Sequence, residues 1–505
     1  MNIEELKYQI LQQFGFPPTP EQAQALDVFV QFMTDSNPHA VMILRGSAGT
    51  GKTSLSGAIV RTLRAVRQKV MLLAPTGRAA KVFSLNSGMP AYTIHRRIYR
   101  EKAFAGVDGQ FNLNDNLYTD TLFMVDEASM IANLGLGGTT FGSGCLLDDL
   151  VHFVYQGRND RLLLIGDKAQ LPPVGEEESP ALSAAMLQGY GLSVYECDLN
   201  EVVRQSQQSG ILFNATRIRQ MITHDDITQL PKIRFSGFSD IREMPGAELI
   251  EALGDSYHHV GLDDTIVVTR SNKRANIFNQ GIRNMVLDRE EELESGDMLM
   301  IVKNNYYWME EERKKIKERQ LSEERKVKSE KFNTLANHTV QSNELPAFLA
   351  NGDRAKVMKV SRRIELYGFH FATLLLKFPD YDNYELEATV LLDTLTSEAP
   401  ALPHDQQEQL FHKIEEDYQD IPLKADRMKA IRQDPYFNAL QVKFAYAVTC
   451  HKAQGGQWSH VYVDQGYMTD DMLTPDYIHW LYTAFTRATE MLYLVNWPKT
   501  QVEGE

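Results

Sequence analysis

This sequence of 505 residues has few cysteines, fewer basic than acidic residues, and only short apolar runs. The three cysteines, Cys145, Cys197 and Cys450, are too few and too scattered for a disulfide framework or a four-cysteine metal cluster, which favours a reducing cytoplasm. Apolar runs such as VMIL (41–44) are much shorter than the roughly 18 to 20 residues that cross a bilayer, so no membrane contact is expected. The first residues, MNIEELKYQI, also lack the basic and apolar regions of a signal peptide.

The net charge is −15, so overall electrostatics give no support for a nucleic-acid partner, and any basic binding surface must be local. Hydrophobic residues make up 43% and charged residues 24% of the chain, as in an ordinary globular protein. A chain of this length exceeds what one hydrophobic core organises, so two to four structural units are expected.

Short apolar runs that alternate with turns and helical stretches predict an α/β fold with parallel sheets. One series contains VMIL, VMLLA (70–74), TLFMVD (121–126) and RLLLIG (161–166). A second series, which predicts a second lobe, contains TIVVT (265–269), FAYAVT (444–449) and HVYVD (460–464). Between its pieces lie a charged helical stretch and the segments RAKVMKV, RIELYGF, ATLLLKF and ELEATVLL, which predict successive strands of a small β-barrel.

The segment GSAGTGKT (46–53) lies between an apolar run and a helical stretch, the context of a phosphate-binding loop. Glycines let backbone amides surround phosphate oxygens, and the helix amino terminus adds partial positive charge. We expect Lys52 to contact the β- and γ-phosphates and Thr53 to bind Mg²⁺. The remaining predicted nucleotide contacts in this segment are Gly46, Ala48, Gly49, Thr50, Gly51 and Ser54.

Two further strands end in polar residues suited to ATP hydrolysis. In TLFMVDEASM (121–130), Asp126 is predicted to bind Mg²⁺ through its water shell and Glu127 to polarise the attacking water. In LLLIGDKAQLPPV (162–174), Gln170 is predicted to bond the γ-phosphate or that water. Each segment alone could be a surface turn; with the phosphate-binding loop they indicate a hydrolytic site.

These motifs resemble those of the superfamily one helicases, in particular the 5′ to 3′ subfamily with RecD-like and Dda-like proteins. The resemblance runs from about Pro18 to Trp497 in the family's order. It implies adenine recognition by Gln22 in PPTPEQ (17–22), and γ-phosphate contacts by Arg204 in NEVVRQ and Arg487 in LYTAFTRATEMLYLV. Gln457 departs from the pattern, since many members have a glutamate there, at the position of an expected ribose contact.

The resemblance also implies a single-stranded DNA track. Its segments here are LLAPTGRAAKVF (72–83), TIHRRIY (93–99) and AVTCHKAQGGQWSHVYV (447–463). Phosphate contacts of this kind position a strand without reading its sequence. The predicted contacts are Pro75, Thr76, Arg78, His95, Thr449, His451 and Lys452, although Thr and His residues at these places often only cap helices. Tyr99, Phe104 and Phe111, in a segment where the family has a duplex-splitting hairpin, could equally be packing residues.

The predicted architecture has two RecA-like parallel-sheet lobes, with an SH3-like barrel inserted in the second lobe and a small hairpin in the first. The boundaries are residues 1–205 for the first lobe, with the hairpin at about 97–120, 206–300 and 441–505 for the second, and 301–440 for a charged helix and the barrel. We expect a monomeric motor that uses ATP and Mg²⁺ and acts on single-stranded and tailed duplex DNA. Repair or recombination proteins are the partners that this family suggests.

Three other functions stay open at this point. The first is a translocase that remodels protein–DNA complexes without efficient unwinding. The second is a P-loop phosphotransferase, in which the carboxyl-terminal lobe would have no role in ATP turnover. The third is a binding scaffold whose nucleotide site only changes shape. ATP turnover measured with and without single strands distinguishes them.

Overall fold

The structure is a computed structural model that describes residues 3–101, 111–135, 142–202, 208–224, 227–329 and 348–504. The chain forms two compact units: Met1–Asp288 together with Tyr446–Glu505, and Arg289–Ala445. Among the described residues, no helix has both the length and the apolar character needed to cross a membrane.

The first lobe of the larger unit is a parallel sheet covered by helices. Its strands are β1 (Ala40–Gly46), β2 (Lys69–Ala74), β3 (Ala91–Thr93), β4 (Tyr99–Glu101), β5 (Phe111–Leu113), β6 (Thr121–Val125), β7 (Arg161–Gly166) and β8 (Ser193–Leu199). Its helices are α1 (Ile3–Phe14), α2 (Pro20–Thr34), α3 (Lys52–Ala65), α4 (Gly77–Ser87), α5 (Ile94–Ile98), α6 (Leu146–Gln156) and α7 (Ala184–Gly189). The sheet order is β3-β2-β6-β7-β1-β8.

The central strands of this sheet are buried on both faces, which explains their continuous apolar sequences. Every pair in the sheet is parallel, so the carboxyl ends of its strands lie at one edge. Ligands of open α/β sheets bind at that edge. The three functional motifs of the first lobe follow β1, β6 and β7 and therefore meet there.

The predicted hairpin insertion is a separate two-stranded antiparallel sheet. In it β4 pairs with β5, with Tyr99 opposite Leu113 and Arg100 opposite Asn112. Residues 102–110, including Phe104, lie outside the described residues.

The second lobe begins with α8 (Gly210–Thr223), β9 (Ile241–Met244), α9 (Leu249–His259), β10 (Thr265–Thr269) and α10 (Asn272–Gly281). The chain then forms the smaller unit, whose elements are β11 (Met298–Ile301), α11 (Tyr307–Ser329), β12 (Arg354–Leu366), β13 (Phe369–Phe378), β14 (Tyr384–Leu391), α12 (His404–Asp417), α13 (Lys424–Arg432) and β15 (Leu440–Phe444). The strands β11 to β15 close into a barrel.

The second lobe is completed by β16 (Ala447–Thr449), α14 (Cys450–Ala453), β17 (Trp458–Asp464), α15 (Pro475–Phe485) and β18 (Ala488–Val495). Its parallel sheet has the order β16-β10-β17-β18-β9. The predicted fold class, two parallel-sheet lobes with a barrel inserted in the second, is confirmed.

Two details of the prediction are wrong. The segments RAKVMKV and RIELYGF form one strand, β12, and the turn after it. Two irregularities along β12 accommodate the register shifts, so the strand continues through them. The chain reverses direction only at Tyr367 and Gly368, both with positive φ. The barrel also begins before residue 301, since the apolar run of β11 pairs with β12 and β15 rather than with the second sheet. The other domain boundaries stay predictions.

Candidate active site

The phosphate-binding loop joins β1 to α3, where its sequence requires glycine. Gly49 and Gly51 have φ of +77° and +83°, a conformation that L-residues with side chains rarely adopt. A Cβ on Gly46 would lie 2.7 Å from Lys52 Cγ. The Lys52 ammonium donates to the carbonyl of Gly46 and, at 3.1 Å, to that of Ser47, so the loop wraps around the cation.

The other predicted nucleotide contacts divide between the loop interior and its surface. Thr50 is buried and donates through Oγ1 to Ser47 O at 2.8 Å. Thr53 and Ser54 are exposed on the first turn of α3. The Ala48 amide donates to the hydroxyl of Tyr482 at 3.0 Å, a contact from the second lobe.

Gln22 is buried beside the loop at the start of α2. Its Oε1 accepts from Thr19 N at 3.0 Å within a capping box, and its Nε2 donates to Thr50 O at 2.9 Å. The structure therefore connects Gln22 to the phosphate-binding loop. Adenine recognition by the same amide stays a prediction.

Asp126 and Glu127 follow β6 at the same sheet edge. Glu127 has φ of +53°, which is uncommon for a residue other than glycine and is typical of functional sites. Its amide donates to Asp126 Oδ1 at 2.9 Å. Burial and the neighbouring Glu127 carboxylate raise the pKa of Asp126 to about 7, while Lys52 acts in the opposite direction. The cation and the two carboxylates are thus electrostatically coupled.

Glu127→Gln should bind ATP but hydrolyse it roughly 10² to 10⁴ times more slowly, the usual contribution of a general base. The amide keeps the shape of the side chain but cannot polarise water. Binding is measured with a fluorescent ATP analogue and turnover by phosphate release. Glu251→Gln, at an exposed carboxylate of α9 in the second lobe, is the matched control. Loss of ATP binding in Glu127→Gln would contradict the proposed division of roles between Asp126 and Glu127.

The segment after β7 contributes two buried polar residues. Asp167 accepts through Oδ1 from Ala169 N at 3.0 Å, and its carbonyl accepts from Gln170 N at 3.2 Å. Among the described residues, the buried Oε1 of Gln170 has no hydrogen-bond partner. Such an acceptor costs about 1 to 3 kcal/mol and needs a functional explanation, for which a donor from a bound ligand or its water is suited.

Two second-lobe residues that sequence reasoning missed also reach this edge. The Tyr482 hydroxyl donates to Asp167 Oδ2 at 2.6 Å. Arg219, buried in α8, donates to Ser47 Oγ and to Asn200 O at 3.3 Å. The available signal was its spacing, because Arg219 lies four residues after Ala215 and eight after Ile211 and so shares the apolar face of α8.

A cavity of about 330 Å³ adjoins the beginning of the phosphate-binding loop. Its lining includes Gly46, Ser47, Asp167, Arg219 and His479. The cavity therefore brings together residues of both lobes beside the nucleotide motifs.

Of the two predicted γ-phosphate arginines, the structure describes only Arg487. Arg487 is buried at the end of α15, where its guanidinium donates to Thr483 O at 3.0 Å, Gly456 O at 3.1 Å and Thr486 Oγ1 at 3.1 Å. The second lobe alone thus fixes its position. Arg204 lies outside the described residues.

The residues at the start of α4 that are predicted to contact the DNA strand lie against the second lobe. Thr76, directly after Pro75, caps α4 by accepting from Ala79 N at 3.2 Å. Arg78 donates to Gln457 O at 2.6 Å, and its guanidinium carbon lies 4.2 Å from the centre of the Trp458 ring. Arg78 therefore bonds protein groups of the second lobe in this structure.

The other residues predicted to contact the DNA strand differ in charge and exposure. His95 lies in α5, and burial lowers its pKa to about 4, so the ring is neutral at pH 7. Thr449 precedes α14, and His451 lies on that helix, where partial desolvation of its ring lowers its pKa although Asp476 acts in the opposite direction. Lys452 follows on α14. A Cβ built on Gly455 would lie 3.0 Å from Thr76 Oγ1, so Thr76 lies close to the segment that follows α14.

Two segments of the chain match models of known protein families. Residues 18–230 match the family model of an AAA domain, and residues 444–495 match that of the UvrD-like helicase C-terminal domain. Both matches, together with the helicase relatives described next, support a superfamily one helicase.

Similar proteins include the ATP-dependent RecD2 DNA helicase of Deinococcus radiodurans, 30% identical over 38% of this chain and 22% of that protein. The ATP-dependent DNA helicase dda of Enterobacteria phage T4 is 24% identical over 56% of this chain and 60% of that protein. An uncharacterized protein of Methanocaldococcus jannaschii is 34% identical over 31% of this chain and 13% of its own length. The chain thus spans less than two thirds of each relative.

A structure of Pif1 helicase from Bacteroides in complex with ADP-AlF3 and ssDNA covers 97% of this chain and 95% of that one, at 13% identity. Its TM-score is 0.44, which is too low to compare sites.

Proposed function

We propose that the protein is an ATP-dependent 5′ to 3′ DNA helicase that couples hydrolysis to movement on single-stranded DNA and to duplex unwinding. The observation that carries the proposal is the meeting of both lobes at the phosphate-binding loop, where Ala48 bonds Tyr482 and Ser47 bonds Arg219. A site assembled from two lobes can be opened and closed by their relative motion.

In the proposed mechanism, Lys52 neutralises the β- and γ-phosphates and Glu127 accepts a proton from the attacking water. The Gln170 amide positions that water or the γ-phosphate. Arg204 and Arg487 complete the site when the lobes close, since arginine offers fixed charge and a planar fork of donors. Loss of the γ-phosphate then releases this contact between the lobes.

The residues present fit a magnesium ion bound mainly through the nucleotide. Among the described residues, no group of three or more His, Cys, Asp or Glu side chains could hold a metal. Mg²⁺ typically uses one or two carboxylates together with substrate phosphates and water. Asp126 and the Thr53 hydroxyl would hold it, and the ion would supply charge neutralisation on the phosphates.

The single-stranded DNA would contact predicted residues from both lobes, namely Pro75, Thr76, Arg78, His95, Thr449, His451 and Lys452. Hydroxyls, a neutral imidazole and few cations can bind a phosphate backbone locally, in keeping with the net charge of −15. The β4–β5 hairpin would separate the duplex.

The two-lobe contacts disfavour a P-loop phosphotransferase, because that enzyme would have no reason to bond its phosphate-binding loop to Tyr482 near the carboxyl end. A translocase that remodels protein–DNA complexes differs from a helicase only in whether a duplex is separated. Unwinding assays therefore decide between the two.

A duplex with a 5′ single-stranded tail should be unwound, whereas one with a 3′ tail of equal length should not. Initiation should weaken steeply with salt, since phosphate contacts release counterions. Strand separation is followed by fluorescence, with strand-stimulated ATPase measured on both substrates as the control for binding. Unwinding of only the 3′-tailed duplex would overturn the polarity but not the motor function. The absence of strand-stimulated ATPase would overturn both.

A further inference from the structure

The Tyr482 hydroxyl bridges two first-lobe segments from the second lobe. It accepts from Ala48 N at 3.0 Å in the phosphate-binding loop and donates to Asp167 Oδ2 at 2.6 Å after β7. Tyr482 is buried, and burial together with Asp167 raises the pKa of its hydroxyl well above the ordinary value. The hydroxyl therefore stays protonated, and its two roles as donor and acceptor are fixed.

The same helix, α15, also bonds the backbone of the segment after β7. Leu171 N donates to Thr483 Oγ1 at 2.8 Å, and the ring Nδ1 of His479 lies 2.9 Å from Ala169 O. A further bond to this segment comes from the residue after α14, since Gln454 Nε2 donates to Leu171 O at 2.7 Å. Any displacement of α15 must therefore move the segment that contains Gln170 or break these bonds.

The helix α15 also contacts α14, which contains the strand candidates His451 and Lys452. The Cys450 thiol lies 3.6 Å from Trp480 O and donates to it. One helix thus connects the proposed strand-binding residues with the proposed hydrolytic residues.

We propose that Tyr482 is the positioning residue that couples strand binding to ATP turnover. The inference rests on the proposed function. Binding of a DNA strand shifts α14, and α15 moves with α14. The Tyr482 hydroxyl on α15 then determines the position of the Ala48 amide relative to the Asp167 carboxylate. The amide of the phosphate-binding loop and the segment of Gln170 are thereby aligned together.

Tyr482→Phe should reduce strand stimulation, the ratio of kcat with oligo-dT to kcat without it, by roughly 5- to 150-fold, the usual range of coupling between sites. Coupling is reciprocal for binding, so a non-hydrolysable ATP analogue should also lose its effect on oligo-dT affinity. A residue with a merely structural role would lower both kcat values together and leave the ratio unchanged.

Tyr462→Phe is the matched control. Tyr462 is a buried tyrosine of the same lobe whose hydroxyl lies 2.7 Å from both Ser256 Oγ and Ala252 O, remote from the phosphate-binding loop. It loses comparable hydrogen bonds and should keep the wild-type ratio. Thr483→Val, which removes only the bond to Leu171, should lower the ratio in the same direction but less.

The outcomes separate this inference from the proposed function. If oligo-dT does not stimulate the wild-type protein, the proposed function fails whatever the variants do. If the wild-type protein is stimulated and folded Tyr482→Phe keeps the full ratio, the inference is overturned and the function stands. If Tyr482→Phe does not fold, Thr483→Val decides, and an unchanged ratio in that variant overturns the inference.

Discussion

Lys52→Ala should abolish ATP turnover, with a fall in kcat of at least about 10² to 10³, the scale of one lost electrostatic contact to a transition state. The Lys52 ammonium is held at the centre of the loop by the carbonyls of Gly46 and Ser47. Alanine leaves the phosphate charge uncompensated during closure and also increases the repulsion around Asp126, whose pKa Lys52 helps to lower. Phosphate release at saturating ATP and oligo-dT measures the effect.

Lys499→Ala is the control for this variant, since Lys499 is an exposed lysine that does not line the cavity beside the loop. Its removal changes the net charge equally but takes away none of the contacts to the loop carbonyls. Thermal melting should show that both variants are folded. Near-normal turnover by folded Lys52→Ala would refute the assignment of the phosphate-binding loop.

Much of the fold could be predicted because its central strands carry a local signal. The runs that became β1, β6, β7 and β10 are continuously apolar, as double burial requires. The edge strand β8 was missed, since several of its residues are exposed and SVYECDL lacks an apolar run. The start of the barrel was misplaced for a related reason, because an apolar run does not show which sheet it joins.

The placement of the proposed nucleotide motifs at one sheet edge could be predicted because each motif lies within a few consecutive residues after a strand. The contacts between the lobes could not. Tyr482 and Asp167 are separated by hundreds of residues, and nothing in either segment specifies that they bond. Arg78 shows the same limit, since its predicted phosphate role gave no indication of its position over Trp458.

Arg487→Ala should lower strand-stimulated turnover by roughly three or more orders of magnitude, the scale of arginine fingers, while nucleotide affinity changes only modestly. The second lobe fixes the guanidinium through acceptors on Thr483, Thr486 and Gly456, so its charge moves with that lobe. In the proposed mechanism it reaches the phosphates only when the lobes close. Arg487→Lys should restore little, because a single ammonium cannot replace the planar fork.

Removing Arg487 also leaves buried acceptors without their donor, so its effect on catalysis must be separated from an effect on folding. Arg274→Ala provides that separation. Arg274 forms two hydrogen bonds of 2.8 Å with the buried Asp464 in the same lobe, away from the nucleotide motifs. Its loss should lower the melting temperature but preserve stimulated turnover per folded molecule. Full stimulation in Arg487→Ala would exclude Arg487 as a γ-phosphate contact, because no charge from that residue would then be needed for turnover.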